Sequence, residues 1–364
     1  MKTLTITLHD TDNCGSSLQA FALQHFLLYH NIDNQIIDYV PAYTKNNGNP
    51  IKTSIRKVLF ARATKERNRK FNKFKESFLK ITPKRYSSFM ELQADPPLAD
   101  CYITGSDQLW NDMYLCGSDP AYYINFTNAH KIAYAISVAR AIIPESNLTI
   151  IKKFGKGFDW ISTREESSVD QLERLNLCSE KIDHVCDPVL LNPINDYDEI
   201  RSSRLVSDRY IVVYLAQDID LDLLSKFLHK INTDHAYKII SVGSYRKKFP
   251  CDQHISTMAP GEFLSLIYYS ECVVSNSFHA TLFSLMYHKQ FFTILPKDNS
   301  TRISDILNIT ALQQCAITSN NWEKDNRISV EKYKIVQDIL DRYSKASGEL
   351  LLSHLNSIGG NNGQ

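Results

Sequence analysis

Short apolar runs alternate with segments of helical periodicity along most of the chain. The run TLTITL near the N-terminus places Leu4, Ile6 and Leu8 two positions apart, as in a strand with one buried face. The segment after it carries apolar residues three or four positions apart, which predicts a helix from Ser16 to about His30. This alternation of strand and helix recurs throughout, and it predicts parallel sheets with helices on both faces.

The alternation is interrupted once, at residues 192–209, where turn formers and charged residues dominate. The chain of 364 residues is also about twice the usual length of a single domain. We therefore predict two doubly wound α/β domains, residues 1–191 and residues 210–345, joined by a linker and separated by a cleft. Residues 346–364 are predicted to form a C-terminal helix and a disordered tail.

The composition is that of an ordinary globular protein, with 43% hydrophobic and 22% charged residues. A net charge of +1 provides no global attraction to nucleic acid. The eight cysteines form no C-x-x-C pair and no cluster with histidines, which indicates reduced thiols and argues against a metal site. The polar N-terminus does not resemble a signal peptide, and no apolar run is long enough to predict a membrane span. We therefore expect a cytoplasmic protein.

The even charge balance breaks at residues 51–80. This segment holds 11 Lys or Arg against two Glu, a local charge of +9 that leaves −8 for the rest of the chain. Its apolar residues recur every three or four positions, which predicts a pair of basic amphipathic helices. Two interpretations stay open: a solvated helix surface, or a patch that binds anionic lipid or a pyrophosphate-bearing acceptor.

The segment SNSFHATLF places a histidine where a strand ends and a helix begins. Ser277 is suited to cap the helix, and His279 lies in its first turn. The positive end of the helix dipole disfavours the imidazolium there and keeps the ring available for proton exchange. Ligands of such sheets bind at the carboxyl ends of the strands, so this position is a candidate site. The alternative interpretation is a core histidine behind a serine cap.

A similar strand end occurs in the segment ITGSDQLWND. Gly105 would allow a close approach of the backbone to a ligand. It is followed by polar side chains and a tryptophan, namely Ser106, Asp107, Gln108 and Trp110. The alternative interpretation is a helix cap at Ser106 or Asp107 with a buried tryptophan.

The opening turn, residues 13–17, also connects a strand to a helix. Its small polar residues either present backbone N–H groups to an anion or only cap the helix. The turn alone does not decide between these interpretations.

Arginines near predicted strand ends are candidates for binding carboxylate or phosphate, because the planar guanidinium binds oxygen pairs of either group in bidentate fashion. Arg140, Arg164 and Arg302 hold such positions, although each alone could form a surface ion pair instead. The sequence contains none of the P-loop, G-x-S-x-G, H-E-x-x-H or G-x-G-x-x-G motifs. The common nucleotide-binding and hydrolase signatures are therefore absent from the sequence.

An ordered set of motifs between Thr3 and Leu312 resembles the polysaccharide pyruvyl transferase family. In chain order the motifs are NCGSSLQAFALQ, ITGSDQLWN, ISTREESSVDQL, CDPVLL, PGEFLSLI, VVSNSFHATLFSLMYHKQFF and RISDIL. No single motif is decisive, but the ordered set is specific. Two departures are mild because neither removes a titratable group: the opening turn often reads N-Y-G-A in the family, and the strand-end motif often reads N-S-F-H-G where this chain has Ala280.

The resemblance implies two facing Rossmann-like domains in a GT-B-like arrangement, with the acceptor on the first domain and the donor on the second. It implies an enzyme that moves pyruvate from phosphoenolpyruvate onto two hydroxyls of a sugar in a surface polysaccharide precursor, of capsule or exopolysaccharide, and forms a ketal. Phosphoenolpyruvate is then the co-substrate, and the reaction requires no metal or other cofactor.

The resemblance also suggests roles for the candidate residues. His279 is expected to be the acid–base catalyst. The groups expected to bind the donor are Arg302, Arg164, Arg140, Lys297, Ser277 and Asn276. The groups expected to bind the acceptor are Asn13, Gly15, Ser16, Gln19, Gly105, Ser106, Asp107, Gln108 and Trp110. The opening turn is thereby assigned to the acceptor.

Two other functions stay open at this point. A GT-B glycosyltransferase that uses a nucleotide sugar would have the same two domains, with a base-and-ribose pocket in the second. A non-catalytic glycan-binding relative would need no catalytic histidine. Acceptors of the family are often lipid-linked sugars at the inner membrane face, which would give residues 51–80 a purpose as a peripheral contact with anionic membrane.

Overall fold

Two units, each built around one parallel sheet, make up the chain. The structure, a computed structural model, describes residues 1–45, 50–243, 249–295 and 300–361; the side chains of residues 45, 50–61 and 361 lie outside the description. The first unit combines Met1–Leu59, Asn72–Asn192 and Arg342–Gln364, and the second combines Phe60–Phe71 and Pro193–Asp341. Apart from residues 60–71, the chain leaves the first unit next to the predicted boundary, and it returns to that unit at its C-terminus.

The first unit contains a seven-stranded sheet. Its strands are β1 (Lys2–Ile6), β2 (Asp33–Tyr39), β3 (Ile81–Tyr86), β4 (Cys101–Asp107), β5 (His130–Ile136), β6 (Trp160–Thr163) and β7 (Asp183–His184). They pair in parallel in the order β3-β2-β1-β4-β5-β6-β7, which is the doubly wound order with a switch point between β1 and β4. Every residue of β4 is buried, as expected for a central strand covered on both faces.

The helices of this half of the chain are α1 (Cys14–Tyr29), α2 (Pro50–Phe78), α3 (Phe89–Ala94), α4 (Glu145–Phe154) and α5 (Glu166–Glu173), and residues 60–71 of α2 belong to the second unit. Helix α1 follows β1 after one turn, and its core-facing Leu18, Ala22 and Leu27 are fully buried. The apolar periodicity that predicted this helix is the periodicity that it buries.

The second unit contains a five-stranded parallel sheet. Its strands are β8 (Tyr210–Tyr214), β9 (Lys238–Val242), β10 (Gln253–Ile255), β11 (Cys272–Ser275) and β12 (Gln290–Thr293), paired in the order β10-β9-β8-β11-β12. The order again reverses beside the first strand, between β8 and β11, so the carboxyl end of β11 lies at a switch point. The prediction of two doubly wound α/β sheets is confirmed.

The helices of the second half of the chain are α6 (Leu221–Ile231), α7 (Pro260–Tyr268), α8 (Phe278–Met286), α9 (Thr301–Ile309) and α10 (Val330–Asn361). Helix α6 begins at Leu221 because Asp220 caps it: its side chain accepts hydrogen bonds from the backbone N–H groups of Asp222 and Leu223, both at 3.0 Å.

The basic segment at residues 51–80 forms one helix, α2, where two were predicted. The sequence from Ile51 to Phe78 contains no glycine or proline, so no residue interrupts the backbone hydrogen bonds of the helix. Phe71 and Phe74 are buried on one face of it. The prediction of a helix pair was therefore wrong, whereas the amphipathic character is present.

Residues 193–209, predicted to be a linker, pack within the second unit. Tyr197 is fully buried, with its ring 5.1 Å from that of Phe283, and Ile200 and Val206 are buried as well. These apolar residues stand singly among charged ones, so their core positions give no periodic signal in the sequence.

Helix α10 begins earlier and ends later than predicted. Its later part belongs to the first unit, where Ser347 Oγ accepts a hydrogen bond from Cys186 N at 2.9 Å and the His354 ring stacks on Trp160 at 4.4 Å. Residues 359–361, predicted to lie in a disordered tail, continue the helix.

Candidate functional site

The opening turn is anchored at both ends by side-chain hydrogen bonds in the first unit. Asn13 Oδ1 caps α1 by accepting from Gly15 N at 2.9 Å and Ser16 N at 3.2 Å. Ser16 Oγ donates to Asp107 Oδ2 at 2.5 Å, which ties the turn to the end of β4. The turn thus caps the helix and also places a serine hydroxyl on a buried carboxylate.

Gln19 provides a second link between α1 and β4. Its Oε1 accepts from Ser106 N at 3.2 Å, while its Nε2 donates to Thr7 Oγ1 and to the Ser16 carbonyl, both at 2.9 Å. Gln19 and Ser106 are fully buried. The structure therefore gives both a positioning role, and their contact with an acceptor stays a prediction.

The backbone at the end of β4 departs from regular strand geometry. Gly105 has φ +152°, and a Cβ there would lie 2.2 Å from the Tyr134 carbonyl oxygen. Asp107 has φ +84°, which is unfavourable for an L-residue, and its Oδ1 accepts from Gln108 N at 2.8 Å. Such backbone persists only where the surroundings impose it, and it clusters at functional sites. The carboxyl end of β4 is therefore a candidate site in its own right.

Asp107 also contacts Arg164, which follows β6. Arg164 forms ion pairs with Asp187 and, at 3.4 Å, with Asp107 Oδ1, and all three side chains are buried. Burial opposes the arginine's charge, but Asp187, Asp107 and Glu165 raise the pKa of Arg164 above its ordinary value. The structure thus shows Arg164 neutralising carboxylates of the first unit, and its predicted contact with the donor stays a prediction.

The other first-unit candidates have partners in the protein. Arg140 Nη2 lies 3.2 Å from Asp112 Oδ1. Gln108 Oε1 accepts from Asn111 Nδ2 at 2.8 Å. Trp110 is fully buried, its ring stacks on Tyr123 at 4.9 Å, and its Nε1 donates to the Tyr122 carbonyl at 3.2 Å. Trp110 is therefore a core residue, as the alternative interpretation of this segment expected. Its position gives no support to the predicted contact with an acceptor, which stays a prediction.

A second group of candidates lies at the carboxyl end of β11 in the second unit. Asn276 Oδ1 accepts from Ala216 N at 2.7 Å and its Nδ2 donates to the Gln217 carbonyl at 2.7 Å, so it fixes the loop after β8. Ser277 Oγ accepts from Ala280 N at 3.4 Å, which is the predicted cap of α8. Both residues are thereby positioning groups for the start of α8.

His279 lies in the first turn of α8, as predicted. Its side chain is mostly buried, and its ring lies 5.4 Å from the Phe278 ring. The guanidinium carbon of Arg302, in the first turn of α9, lies 5.4 Å from the centre of the Phe278 ring. The structure therefore gathers a histidine and an arginine around Phe278 at the switch point of the second sheet. Lys297, the remaining donor candidate, lies outside the described residues.

One charged cluster was missed by the sequence analysis. Asp38 Oδ1 lies 3.1 Å from His9 Nε2, and its Oδ2 accepts from Arg85 Nε at 2.8 Å, at the carboxyl ends of β1, β2 and β3. Arg85 and Lys75 also pair with Asp10, each at 3.1 Å. The available signal was the polar HD pair directly after β1; its partners are far away in sequence.

The cluster holds Asp38 in its ionised form. Burial alone would raise the pKa of Asp38, but hydrogen bonds from His9 and Arg85 lower it to about 2. The first unit therefore carries a second set of charges at its carboxyl edge, separate in its contacts from Asp107.

The described residues include no group of three His, Cys, Asp or Glu that could hold a metal ion. Among the same residues, no helix combines the length and the apolarity needed to cross a bilayer. That the reaction requires no metal stays a prediction.

The two sheets and their switch points define a GT-B-like α/β fold, and solved structures agree. The S. aureus protein MnaA in its UDP co-structure has a TM-score of 0.57 at 9% identity, over 98% of this chain and 96% of that one. A putative UDP-N-acetylglucosamine 2-epimerase from Listeria monocytogenes has a TM-score of 0.55 at 9% identity, over 96% of this chain and 89% of that one. The UDP-GlcNAc 2-epimerase from Methanocaldococcus jannaschii has a TM-score of 0.54 at 14% identity, over 98% of this chain and 100% of that one. At these identities the likeness concerns the fold alone.

Within this class the sequence match is more particular. The family model described as polysaccharide pyruvyl transferase matches residues 13–298, which include the opening turn, the end of β4 and the start of α8. The chain belongs to the polysaccharide pyruvyl transferase family. No curated protein is significantly similar to it in sequence.

Proposed function

We propose that the protein transfers pyruvate from phosphoenolpyruvate onto two hydroxyls of a sugar in a surface polysaccharide precursor, forming a cyclic ketal. The observation that carries the proposal is the placement of His279 and Arg302 around Phe278 at the carboxyl end of β11. This pair combines a proton-exchanging group with an anion-binding group at a sheet position where ligands of such folds bind. Membership of the family supplies the class of reaction.

His279 has the chemistry that the proposed reaction needs. The enol ether carbon C3 of the donor must gain a proton, after which a sugar hydroxyl attacks C2 and loses its own proton. The bond from C2 to the phosphate oxygen then breaks, and phosphate leaves with the electron pair. The second hydroxyl attacks C2, and its proton goes to the released phosphate or to the base. A histidine can supply the first proton and accept the next at neutral pH.

Arg302 supports the proposal through charge. Phosphoenolpyruvate carries a carboxylate and a phosphate, and the planar guanidinium binds oxygen pairs of both groups in bidentate fashion. Positive charge near the leaving phosphate also stabilises the negative charge that develops on it in the transition state. We assign Arg302 to the donor, together with the predicted but undescribed Lys297.

The acceptor is assigned to the carboxyl edge of the first sheet. Asn13, Ser16 and Asp107 provide an amide, a hydroxyl and a carboxylate there, which are groups that bind sugar hydroxyls. The distorted backbone at Gly105 and Asp107 supports a functional role for this edge. A lipid-linked precursor as acceptor would imply that the enzyme works in the cytoplasm, at the inner face of a membrane.

The decisive experiment measures phosphate released from phosphoenolpyruvate with a panel of lipid-linked and nucleotide-linked sugars. We expect His279→Ala to lower the rate by about 10²- to 10⁴-fold, the usual contribution of a general acid or base. His254→Ala is the matched control, because His254 is exposed on β10 of the same unit. Full activity of His279→Ala would contradict the role of this residue and favour a non-catalytic relative.

The same protein should be melted in the presence of phosphoenolpyruvate and of nucleotide sugars. A ligand that binds only the folded state raises the melting temperature. We expect phosphoenolpyruvate to do so and to lose the effect in Arg302→Met. Stabilisation by nucleotide sugars alone would instead favour a GT-B glycosyltransferase.

A further inference from the structure

Helix α2 exposes a line of positive charges on one face. Arg62, Lys65, Arg69 and Lys73 are all exposed, and their spacing of three, four and four residues puts them on one side of the helix. We call these four residues the cationic stripe. At 1.5 Å per residue the stripe is roughly 16 Å long.

The opposite face of α2 is held by the protein. Phe71 and Phe74 are buried there, about half a turn away from the stripe. Lys70 pairs with Glu262 at 2.8 Å, and Lys75 pairs with Asp10 at 3.1 Å. The face of α2 that carries Phe71 and Phe74 is therefore packed against the fold, and the stripe points away from it.

The cationic stripe differs from the other cations of the same helix in its contacts. Lys70 and Lys75 form ion pairs, whereas no member of the stripe pairs with a carboxylate of the described residues. Glu66 contacts Lys70 at 3.6 Å, and exposed Glu76 follows the last member of the stripe by three residues. Four cations and these two glutamates leave the exposed face of this part of α2 with a net charge of +2, in a chain whose net charge is only +1.

We infer that the cationic stripe binds the surface of an anionic bilayer electrostatically, without inserting into it. Helices that enter the interface do so with a free apolar face, and Phe71 and Phe74 of α2 are buried in the fold. Binding must then come from the attraction between Lys or Arg and anionic headgroups, which depends strongly on salt. The inference extends the proposed function, since a surface-bound enzyme would meet a lipid-linked acceptor, but it does not require the reaction to be correct.

A bilayer fits the stripe better than a nucleic acid does. The aromatic residues of the described part of α2, Phe71, Phe74 and Phe78, lie on the packed face, so the stripe offers no platform on which bases could stack. A flat bilayer needs to touch only one face of one helix.

The test is cosedimentation of the full chain with vesicles of phosphatidylglycerol and phosphatidylcholine in equal amounts. The test variant replaces Arg62, Lys65, Arg69 and Lys73 by Gln. The control variant replaces four exposed lysines on other elements by Gln, namely Lys152, Lys153, Lys226 and Lys334. Both variants lose four charges, so any difference between them reports the position of the charges rather than the net charge.

Each cation near an anionic surface adds roughly a fivefold factor to partitioning, so the test variant is expected to bind about 10²- to 10³-fold more weakly. The control variant should stay within about fivefold of the wild type, and all binding should fall when salt is raised to about 0.5 M. Equal loss in the two variants, or binding to pure phosphatidylcholine vesicles, would overturn the inference. So would tighter binding of the wild type to a short DNA duplex than to the vesicles.

The outcome is independent of catalysis. If the protein releases no phosphate from phosphoenolpyruvate but binds vesicles as expected, the proposed function is disproved and the inference of membrane binding stands. If the protein is active but does not bind vesicles, the proposed function stands and the inference of membrane binding is overturned. Thermal unfolding of both variants confirms that the exchanged surface residues leave the fold intact.

Discussion

The carboxyl edges of the two sheets use arginine in different ways. At the edge of the first sheet, Arg164 is buried between the carboxylates of Asp187 and Asp107, and Ser16 completes the hydrogen bonding of Asp107. At the edge of the second sheet, Arg302 shares the ring of Phe278 with a histidine. One edge is rich in carboxylates, and the other gathers a cation and an acid–base group.

The difference shows that an arginine after a strand is an ambiguous signal by itself. Arg164 directly follows β6 and Arg302 begins α9 after β12, yet both were predicted to bind the donor, and both are buried. What distinguishes them is the set of neighbours that distant segments bring, and carboxylates next to Arg164 raise its pKa and hold it charged. A guanidinium and a proton-exchanging histidine together suit an anionic substrate that must gain a proton, so the proposed function assigns the donor to the second edge.

The largest expected effect is the loss of stability in Arg164→Met. Removing this guanidinium leaves Asp107 and Asp187 buried without their cation, which costs about 3–5 kcal/mol of the free energy of unfolding. Urea unfolding measures this loss. Arg302→Met is the comparison, and its main effect is expected on the KM for phosphoenolpyruvate.

If Arg164→Met instead unfolds like the wild type and only weakens binding of phosphoenolpyruvate, the contrast between the two edges is broken. Arg164 would then belong to the donor site, as the sequence resemblance implied. If both variants lose stability alone, the donor has to be bound elsewhere.

A somewhat smaller effect is expected for Gly105→Ala at the edge of the first sheet. A Cβ at this position would lie 2.2 Å from the Tyr134 carbonyl oxygen, and φ is +152°. The backbone must shift to admit it, so we expect a loss of about 2–4 kcal/mol in the free energy of unfolding, measured in urea. Gly157→Ala is the control, because its Cβ would meet only Lys131 Cε at 3.8 Å, although its φ of +76° also costs something. Equal losses in the two variants would show that the close approach to Tyr134 is unimportant.

Local sequence signals predicted the frame of the molecule well. Apolar periodicity gave both parallel sheets, and the Ser277 cap with His279 after it was correct in position because capping depends on neighbours in sequence. The single helix α2 could have been predicted too, since no breaker interrupts it. These features are determined by residues that lie next to one another.

Contacts between distant segments could not be predicted. Trp110 was assigned to an acceptor, but its burial against Tyr123 depends on the packing of the loop after β4. The return of α10 to the first unit and the pairing of His9 with Asp38 and Arg85 depend likewise on topology. A polar residue at a strand end can therefore be located in the fold from sequence. Its structural or catalytic role depends on contacts with distant segments, which the sequence does not predict.

The smallest expected effect concerns pH and the cluster around Asp38, at the first edge only. The pKa of Asp38 falls from 3.8 to about 2 on folding, so its ionised form stabilises the fold above pH 4 and the contribution is lost as the pH falls toward 2. Asp38→Asn should lower the free energy of unfolding by about 1 kcal/mol at pH 7, because the cluster is partly exposed and screened by solvent. This deficit should shrink as the pH falls toward 2 and vanish below pH 2, where the wild-type carboxylate is protonated as well. Asp95→Asn, which removes an exposed pair with Lys84, should show almost no deficit at either pH. A deficit for Asp38→Asn that is equally large at pH 2 and pH 7 would mean that its side chain stabilises the edge through packing or neutral hydrogen bonds rather than through charge.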